Sequence, residues 1–337
     1  MRTPMGLGAV DTSFLLRTGI PTLSAAPLAD PEGEPVTMAF DRTLDPYLTG
    51  EERAARLGAL ALAEIVNRIG ASAARTLRTR VALAFPEALP GVPKGDFGIV
   101  LASSFRDALR ETFGAPEVEV ESRGGAGLAY VLPAALAALA KGEVDAVLAG
   151  GVHSDYDPLR IASLAAQGRL FSPANTDAVV PGEAAAFVLV TRDDTALRLG
   201  CRPLSRIHAI ASETRDVSID DSGRSFESTA IANVVREATA ELPPEIRIGW
   251  AVTDTGFEHA RIRELYAALT RTHKRFGPPL VIDSPAQRLG HLGAAAMGLE
   301  LGFMSLALQR GFAPCPFGLA LAASDGGERG AMLIGSV

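Results

Sequence analysis

Cysteine is almost missing from this chain: Cys201 and Cys315 are the only two in 337 residues. They stand far apart and in no CxxC-type spacing, which excludes a disulfide framework and a thiolate zinc site. A reducing, cytoplasmic location is expected, with both thiols packed among apolar neighbours. A basic surplus is also lacking. The formal charge is −7, so there is no basic face to neutralise phosphates and nucleic acid is excluded as a partner. Aromatic residues make up 6% of the chain, a scarcity that suits close packing of Ala- and Gly-rich helices on sheets. The longest apolar stretch, Gly127 to Leu139, carries Pro133 and is too short to span a bilayer. It reads as a core helix buried on all sides. The first residues lack a charged start followed by a long apolar core, so no signal peptide is expected. Low-complexity tails and short repeats are absent too.

What is present is a well-packed globular composition, 47% hydrophobic and 21% charged, long enough for two domains or one large layered unit. Two halves can be traced, 1–195 and 196–337. The first closes on Gly182-Glu183-Ala184-Ala185-Ala186-Phe187-Val188-Leu189-Val190, a continuous apolar strand. The second opens on a strand-like run from Cys201 to Glu213, after a short helix, Thr195 to Leu199, stopped at Gly200. Each half then repeats one order. Helix 51–69 precedes a strand from Phe97 to Ala102, and helix 229–241 precedes strand 246–253. A Gly-rich turn, an apolar helix and a strand follow at 124–151, and again at 290–311 with a last strand at the C-terminus. Alternating strands and helices predict parallel or mixed sheets covered on both faces. The Gly/Pro-rich stretches 26–36, 86–96 and 168–182 read as surface loops.

The segment that carries most information runs from Val118 to Ser154. A β-rich run, Val118-Glu119-Val120-Glu121-Ser122, enters the tight turn Gly124-Gly125-Ala126-Gly127, and the apolar helix leads to the buried strand Asp145 to Gly151. With Ala149-Gly150-Gly151-Val152-His153, Gly182-Glu183-Ala184 and Gly290-His291-Leu292-Gly293, this pattern resembles the β-ketoacyl synthases of the thiolase superfamily. The resemblance covers most of the chain from about residue 97 onward. It implies an α/β thiolase-like fold: two pseudo-repeated βαβαβαββ halves packed as a five-layered α/β/α/β/α sandwich.

Members of that family use a Cys thiolate at a helix N-terminus, two His residues, a supporting Lys and backbone oxyanion donors. Carried onto this chain, the Cys position falls on Gly125. The first His position falls on Asp254, or on Thr253 if the register slips by one. The Lys position falls on Ala286. The second His is retained as His291. The C-terminal oxyanion loop is reduced to Ala323-Ser324-Asp325-Gly326-Gly327-Glu328, leaving Gly326 and Gly327 as oxyanion-loop candidates. Removing members of a catalytic unit costs about as much as removing the whole unit.

The resemblance therefore implies a catalytically degenerate, non-condensing protein: a dimeric partner, scaffold or adaptor, paired as homodimer or heterodimer through strand Glu117–Ser122. A ketosynthase and an acyl carrier protein are the candidate further partners, and no cofactor or metal is expected. The alternative is an altered acyltransferase or decarboxylase acting on acyl or malonyl thioesters through His291 and backbone oxyanion donors. Asp254 opposes that alternative, because it puts negative charge where an enolate would form. A third reading is a shell that holds an acyl chain or pantetheine arm without turning it over. Other side chains have plainer readings. His153 and Asp157 read as a satisfied turn, Glu183 as a cap for backbone donors, and Glu258 with His259 as helix neighbours pointing apart. Ser103, Ser104 and Ser122 have no base in recognisable spacing, which leaves them poor substitute nucleophiles.

Overall fold

The computed structural model describes residues 1–89, 98–215 and 228–337. In chain order, the first half comprises α1 (Ala9–Leu16), β1 (Ser24–Ala29), β2 (Pro35–Met38), α2 (Gly50–Ile69), α3 (Ala71–Thr76), β3 (Thr79–Ala84), α4 (Ile99–Phe113), β4 (Glu117–Glu121), α5 (Gly127–Ala140), β5 (Ala146–Ser154), α6 (Pro158–Ala166) and β6 (Glu183–Thr191). After α7 (Asp193–Arg198) the second half follows: β7 (Arg206–Thr214), α8 (Thr229–Ala238), β8 (Ile248–Thr253), α9 (His259–Arg271), β9 (Phe276–Asp283), α10 (Ala286–Leu289), α11 (Ala296–Arg310), β10 (Phe317–Ala323) and β11 (Glu328–Gly335).

Two mixed sheets result, ordered β4-β3-β5-β6 and β7-β11-β10-β8-β9, beside the small hairpin β1-β2. The inner faces of both sheets bury one large core in which α5 and α11 form the central layer. Helices α2 and α4 cover the outer face of the first sheet, and α8 and α9 cover that of the second. This is the five-layered arrangement the sequence implies. The halves are unequal, however. In the second, β7 lies antiparallel along β11 from Glu328 to Gly335. In the first, among the described residues, the matching place beside β6 is held by one bridge, Arg2 to Ala185.

Three expectations need correction. The run to Ala102 is no strand, since Ile99 opens helix α4; Phe97 lies outside the described residues. The helix is set by Leu101, Phe105, Leu109 and Phe113, buried at strict four-residue spacing. Its first amides are capped at long range, as the Glu51 carboxylate accepts from the N–H groups of Gly98, Val100 and Leu101. The 26–36 stretch is not a loop either. Ala26 to Ala29 and Pro35 to Val36 belong to the hairpin, whose turn is fixed by Asp30 Oδ1 accepting from Glu32 N and Glu34 N. Finally, α5 is not buried all round, because Pro133, Ala134, Ala137 and Ala140 face outward. The fully enclosed helix is α11, buried from Ala296 through Ala307. Of the 86–96 stretch, residues 90–96 lie outside the described residues, and within 168–182 Ala178, Val179 and Val180 are buried. Among the described residues, no helix is long and apolar enough to cross a membrane.

Candidate functional site

Two Gly-rich turns meet at the centre of the molecule. Each is a short 3-10 segment, Gly124–Ala126 leading into α5 and Gly293–Ala295 leading into α11. The C-terminal hairpin turn staples the first of them. Ser324 Oγ accepts from Ala126 N at 2.9 Å and donates to the carbonyl of Arg123. Gly125 is buried in this junction, where a Cβ would stand 2.8 Å from Asp254 Oδ2, 3.3 Å from the Ala323 carbonyl oxygen and 3.6 Å from that of Gly293. The site thus brings Gly125 and Asp254 together. Asp254 accepts from Ala323 N at 3.1 Å, and burial pushes its carboxyl above the usual range against the opposing Arg261. Thr253 instead ends β8 and bonds Thr255, hydroxyl to hydroxyl, at 2.9 Å.

His291 lies on the far side of the same junction. Its Nδ1 donates to Asp155 Oδ2 at 2.9 Å, while His153 Nε2 donates to Asp155 Oδ1 at 2.9 Å. The two rings meet edge to face, 4.6 Å between centroids and 82° between planes. Asp155 is fully buried and also accepts from Arg160 Nε and Gly182 N. Burial alone would raise its pKa, but the two imidazoles and Arg160 outweigh that and hold it well below the carboxylate range. The two histidines diverge for the same kind of reason. Burial resists charge on both, yet the Asp155 carboxylate prevails at His291, whose pKa is raised, while desolvation prevails at His153, whose pKa is lowered. His153 is therefore an inner residue of β5 and not part of a satisfied turn: its Nδ1 has no partner among the described residues and lies against Gly293, where a Cβ would stand 2.2 Å away. Asp157, the other half of that turn, caps α6 by accepting from Leu159 N. His153, Asp155 and His291 offer ligand atoms within 4.8 Å of one another, and one nitrogen of each ring is already bonded to the shared carboxylate.

The remaining positions fall less favourably for catalysis. Ala286 is buried at the start of α10. The N–H groups of Asp325 and Gly326 donate to the Glu87 carboxylate at 3.1 and 2.6 Å, and Gly327 N turns back to Ser324 O at 3.5 Å. Gly326 and Gly327 therefore do not present free oxyanion donors. Ser103 and Ser104 lie on the exposed side of α4, and Ser122 is exposed. Glu258 and Asp325 together clamp Arg169, at 2.8 Å to each, and Arg261 adds a further bond to Asp325 at 2.9 Å. This pair of arginines holds Asp325 far below the usual carboxylate range despite burial. His259 is exposed and bonds Asp177.

Sequence reasoning missed Glu87, Asp155 and the Arg169–Asp325–Arg261 cluster. Asp155 alone carried a signal, since it stands two residues after a strand histidine, a spacing that returns its carboxylate to the ring. Two small cavities, each about 40 Å³, adjoin the site, and His291 lines both.

Residues 108–196 match the family model described as the N-terminal domain of β-ketoacyl synthases. Over 213 residues the chain is 29% identical to a mycocerosic acid synthase-like polyketide synthase of Mycobacterium tuberculosis, an alignment that covers 59% of this chain and 10% of that protein. The chain thus spans a small fraction of that relative's length. Among solved structures, it is similar in fold to a type II polyketide ketosynthase bound to a hexaketide in complex with its acyl-carrier protein (TM-score 0.81, 16% identity, 99% of this chain and 97% of that one). The ishigamide ketosynthase/chain length factor gives a TM-score of 0.78 at 18% identity, covering 99% and 96% of the two chains. A ketosynthase from module 6 of the bacillaene synthase of Bacillus subtilis gives 0.76 at 14%, covering 100% and 70%. At such identities the likeness is one of fold.

Proposed function

We propose, for what is by fold and matched segment a β-ketoacyl synthase-like protein of the thiolase superfamily, a non-condensing role as the dimeric partner, scaffold or adaptor of an acyl-handling assembly. The observation that carries this reading is the contact between Asp254 and Gly125. The resemblance gives the thiolate to position 125, and there a carboxylate oxygen fills the space just beyond Cα. A carbanion or oxyanion formed at this point would face Asp254, not an imidazole, and the Coulomb term would raise the barrier to condensation. Glu87 supports the same reading by engaging the amides of the loop that the family uses for oxyanion binding.

The partner follows from exposure and from the relatives. Among the described residues strand β4 is paired on one side only, along β3, and it presents Val118 and Val120 at 36% and 39% exposure. An open, partly apolar edge is a pairing surface, and Glu117–Ser122 is the strand we assign to the dimer contact. Solved relatives include a ketosynthase with a chain length factor and one with its acyl-carrier protein, so a ketosynthase subunit and a carrier protein are the candidates to bring to it, in a cytoplasmic setting.

The test is to incubate the purified chain with malonyl- and acyl-loaded carrier protein, following intact mass and carbon dioxide release. The expected result is no gain of acyl mass and no release above the blank. An acyl adduct, or carbon dioxide release lost in His291→Ala, would replace this reading by the decarboxylase or acyltransferase alternative.

A further inference from the structure

Strand β4 reads the same in both directions: Glu117-Val118-Glu119-Val120-Glu121. Its register with β3 sets Glu119 beside Ala82 and Glu121 beside Ala84, residues of the core around the central helices. Val118 and Val120 stand beside Val81 and Leu83, on the opposite face. The three carboxylates therefore share one face of the edge. Two arginines answer them. Arg80 bonds Glu117 at 3.0 Å, and Arg123 bonds Glu121 at 2.9 Å while reaching Glu328 at 3.8 Å. Glu119 is left over. It stands 3.9 Å from Arg80 Nη2, and neither its Oε2 nor Arg80 Nε has a hydrogen-bond partner among the described residues.

A strand that pairs with its own copy across a two-fold axis normal to the sheet keeps each face on its own side. Within such a pair, odd positions oppose only odd positions and even only even. Along β4, Glu can thus face only Glu, and Val only Val. In the register that pairs the whole strand, Glu119 opposes the partner's Glu119, and Glu117 opposes the partner's Glu121. Like charges directly opposite weaken a strand pair, and neither copy brings Glu119 a cation. The valines set no such restriction, since they suit any apolar neighbour.

We infer that β4 is built for a different chain rather than for a second copy. The inference rests on the strand pairing proposed above and names its occupant. That occupant is an antiparallel edge strand with Lys or Arg opposite Glu119 and apolar residues opposite Val118 and Val120. A copy can pair at this edge, but a chain of that kind pairs more tightly and displaces it. Both form the same backbone bonds, so the preference lies in the side chains.

The probe is this chain itself, labelled with nitrogen-15 and carrying Glu119→Lys, which places a cation opposite the parent's Glu119. It is mixed with an equal amount of unlabelled parent, brought to equilibrium and weighed by native mass spectrometry. The mixed dimer should exceed the random proportion, with an exchange constant about tenfold or more above the random value. Labelled and unlabelled parent should mix at random. Glu119→Gln removes the charge and keeps the shape, so it should tighten self-pairing about two- to fivefold in sedimentation. Raising salt from about 50 to about 500 mM should strengthen the parent dimer and weaken the mixed one. Random mixing of parent with Glu119→Lys would overturn the inference and leave the dimer reading standing, as would self-pairing unchanged in Glu119→Gln. Monomers in every mixture would overturn the dimer reading, and this inference with it.

Discussion

Arg53 and Glu183 stand 130 residues apart and meet in two buried hydrogen bonds, Nε to Oε2 at 2.7 Å and Nη2 to Oε1 at 2.9 Å. The Arg53 guanidinium lies 4.0 Å from the centroid of the Tyr156 ring, and Glu183 accepts in addition from Asp41 N and Ser154 Oγ. One α2 residue thereby fixes the start of β6 to the loop before it. Removing either partner strands a charge in the core. Arg53→Ala or Glu183→Ala is expected to cost about 3–5 kcal/mol in urea unfolding, and the pair Arg53→Met with Glu183→Leu less than the sum of the single changes.

At the central junction, Gly125→Cys should lower stability, because its Cβ would collide with the Asp254 carboxylate. Adding Asp254→Ala should recover the loss, with a coupling of about 1–3 kcal/mol in a double-mutant cycle. Neither protein should take up an acyl group from a loaded carrier protein, as intact mass will show.

Glu300 predicts the pH response. It is wholly buried in α11, neither carboxylate oxygen has a partner among the described residues, and desolvation with the nearby Asp254 lifts its pKa well above the usual value. A folded-state pKa above the unfolded one means that the folded protein holds the proton more tightly. Its contribution is complete below the ordinary glutamate pKa of about 4.3 and is lost as pH rises from there through the raised value. Glu300→Gln should therefore match the parent near pH 4 and become progressively more stable than it toward pH 8, as denaturation midpoints at each pH will measure.

The exposed edge of β4 predicts the oligomeric state. Sedimentation at low concentration should show a dimer, and Val118→Lys with Val120→Lys should give a monomer by placing like charges across the pairing surface. A parent chain that sediments as a monomer would remove the basis for the dimer assignment.

Much of the layered fold was legible because its signals are local. The turn at Gly124–Gly127, the apolar α5, the strand after it and their echo at Gly290–Arg310 are written in consecutive residues. What stayed hidden depends on partners far away in sequence. The Glu51 carboxylate that caps the first amides of α4 lies about fifty residues before them, and Glu183 reads as a turn cap until Arg53 reaches it. The site divides in the same way. Gly125, Asp254 and His291 could be picked out one by one, but not the contact that sets Asp254 against Gly125, nor the capture of the Asp325 and Gly326 amides by Glu87. Asp155 has one histidine, His153, two residues before it, but the other, His291, stands 136 residues away.

The central layer of α5 and α11 belongs to both sheets at once, and this bears on how such a chain can be inherited. Neither half owns the surface that covers it. A gene cut after residue 195 would yield two pieces, each with a sheet face stripped of half its cover and a helix exposing apolar residues meant for the other sheet. Drift in one half is therefore answerable to the other: a methyl added at Gly298 of α11 would strike the Ala186 carbonyl oxygen at 2.6 Å, and one added at Gly330 of β11 would strike Ala129 of α5 at 2.8 Å.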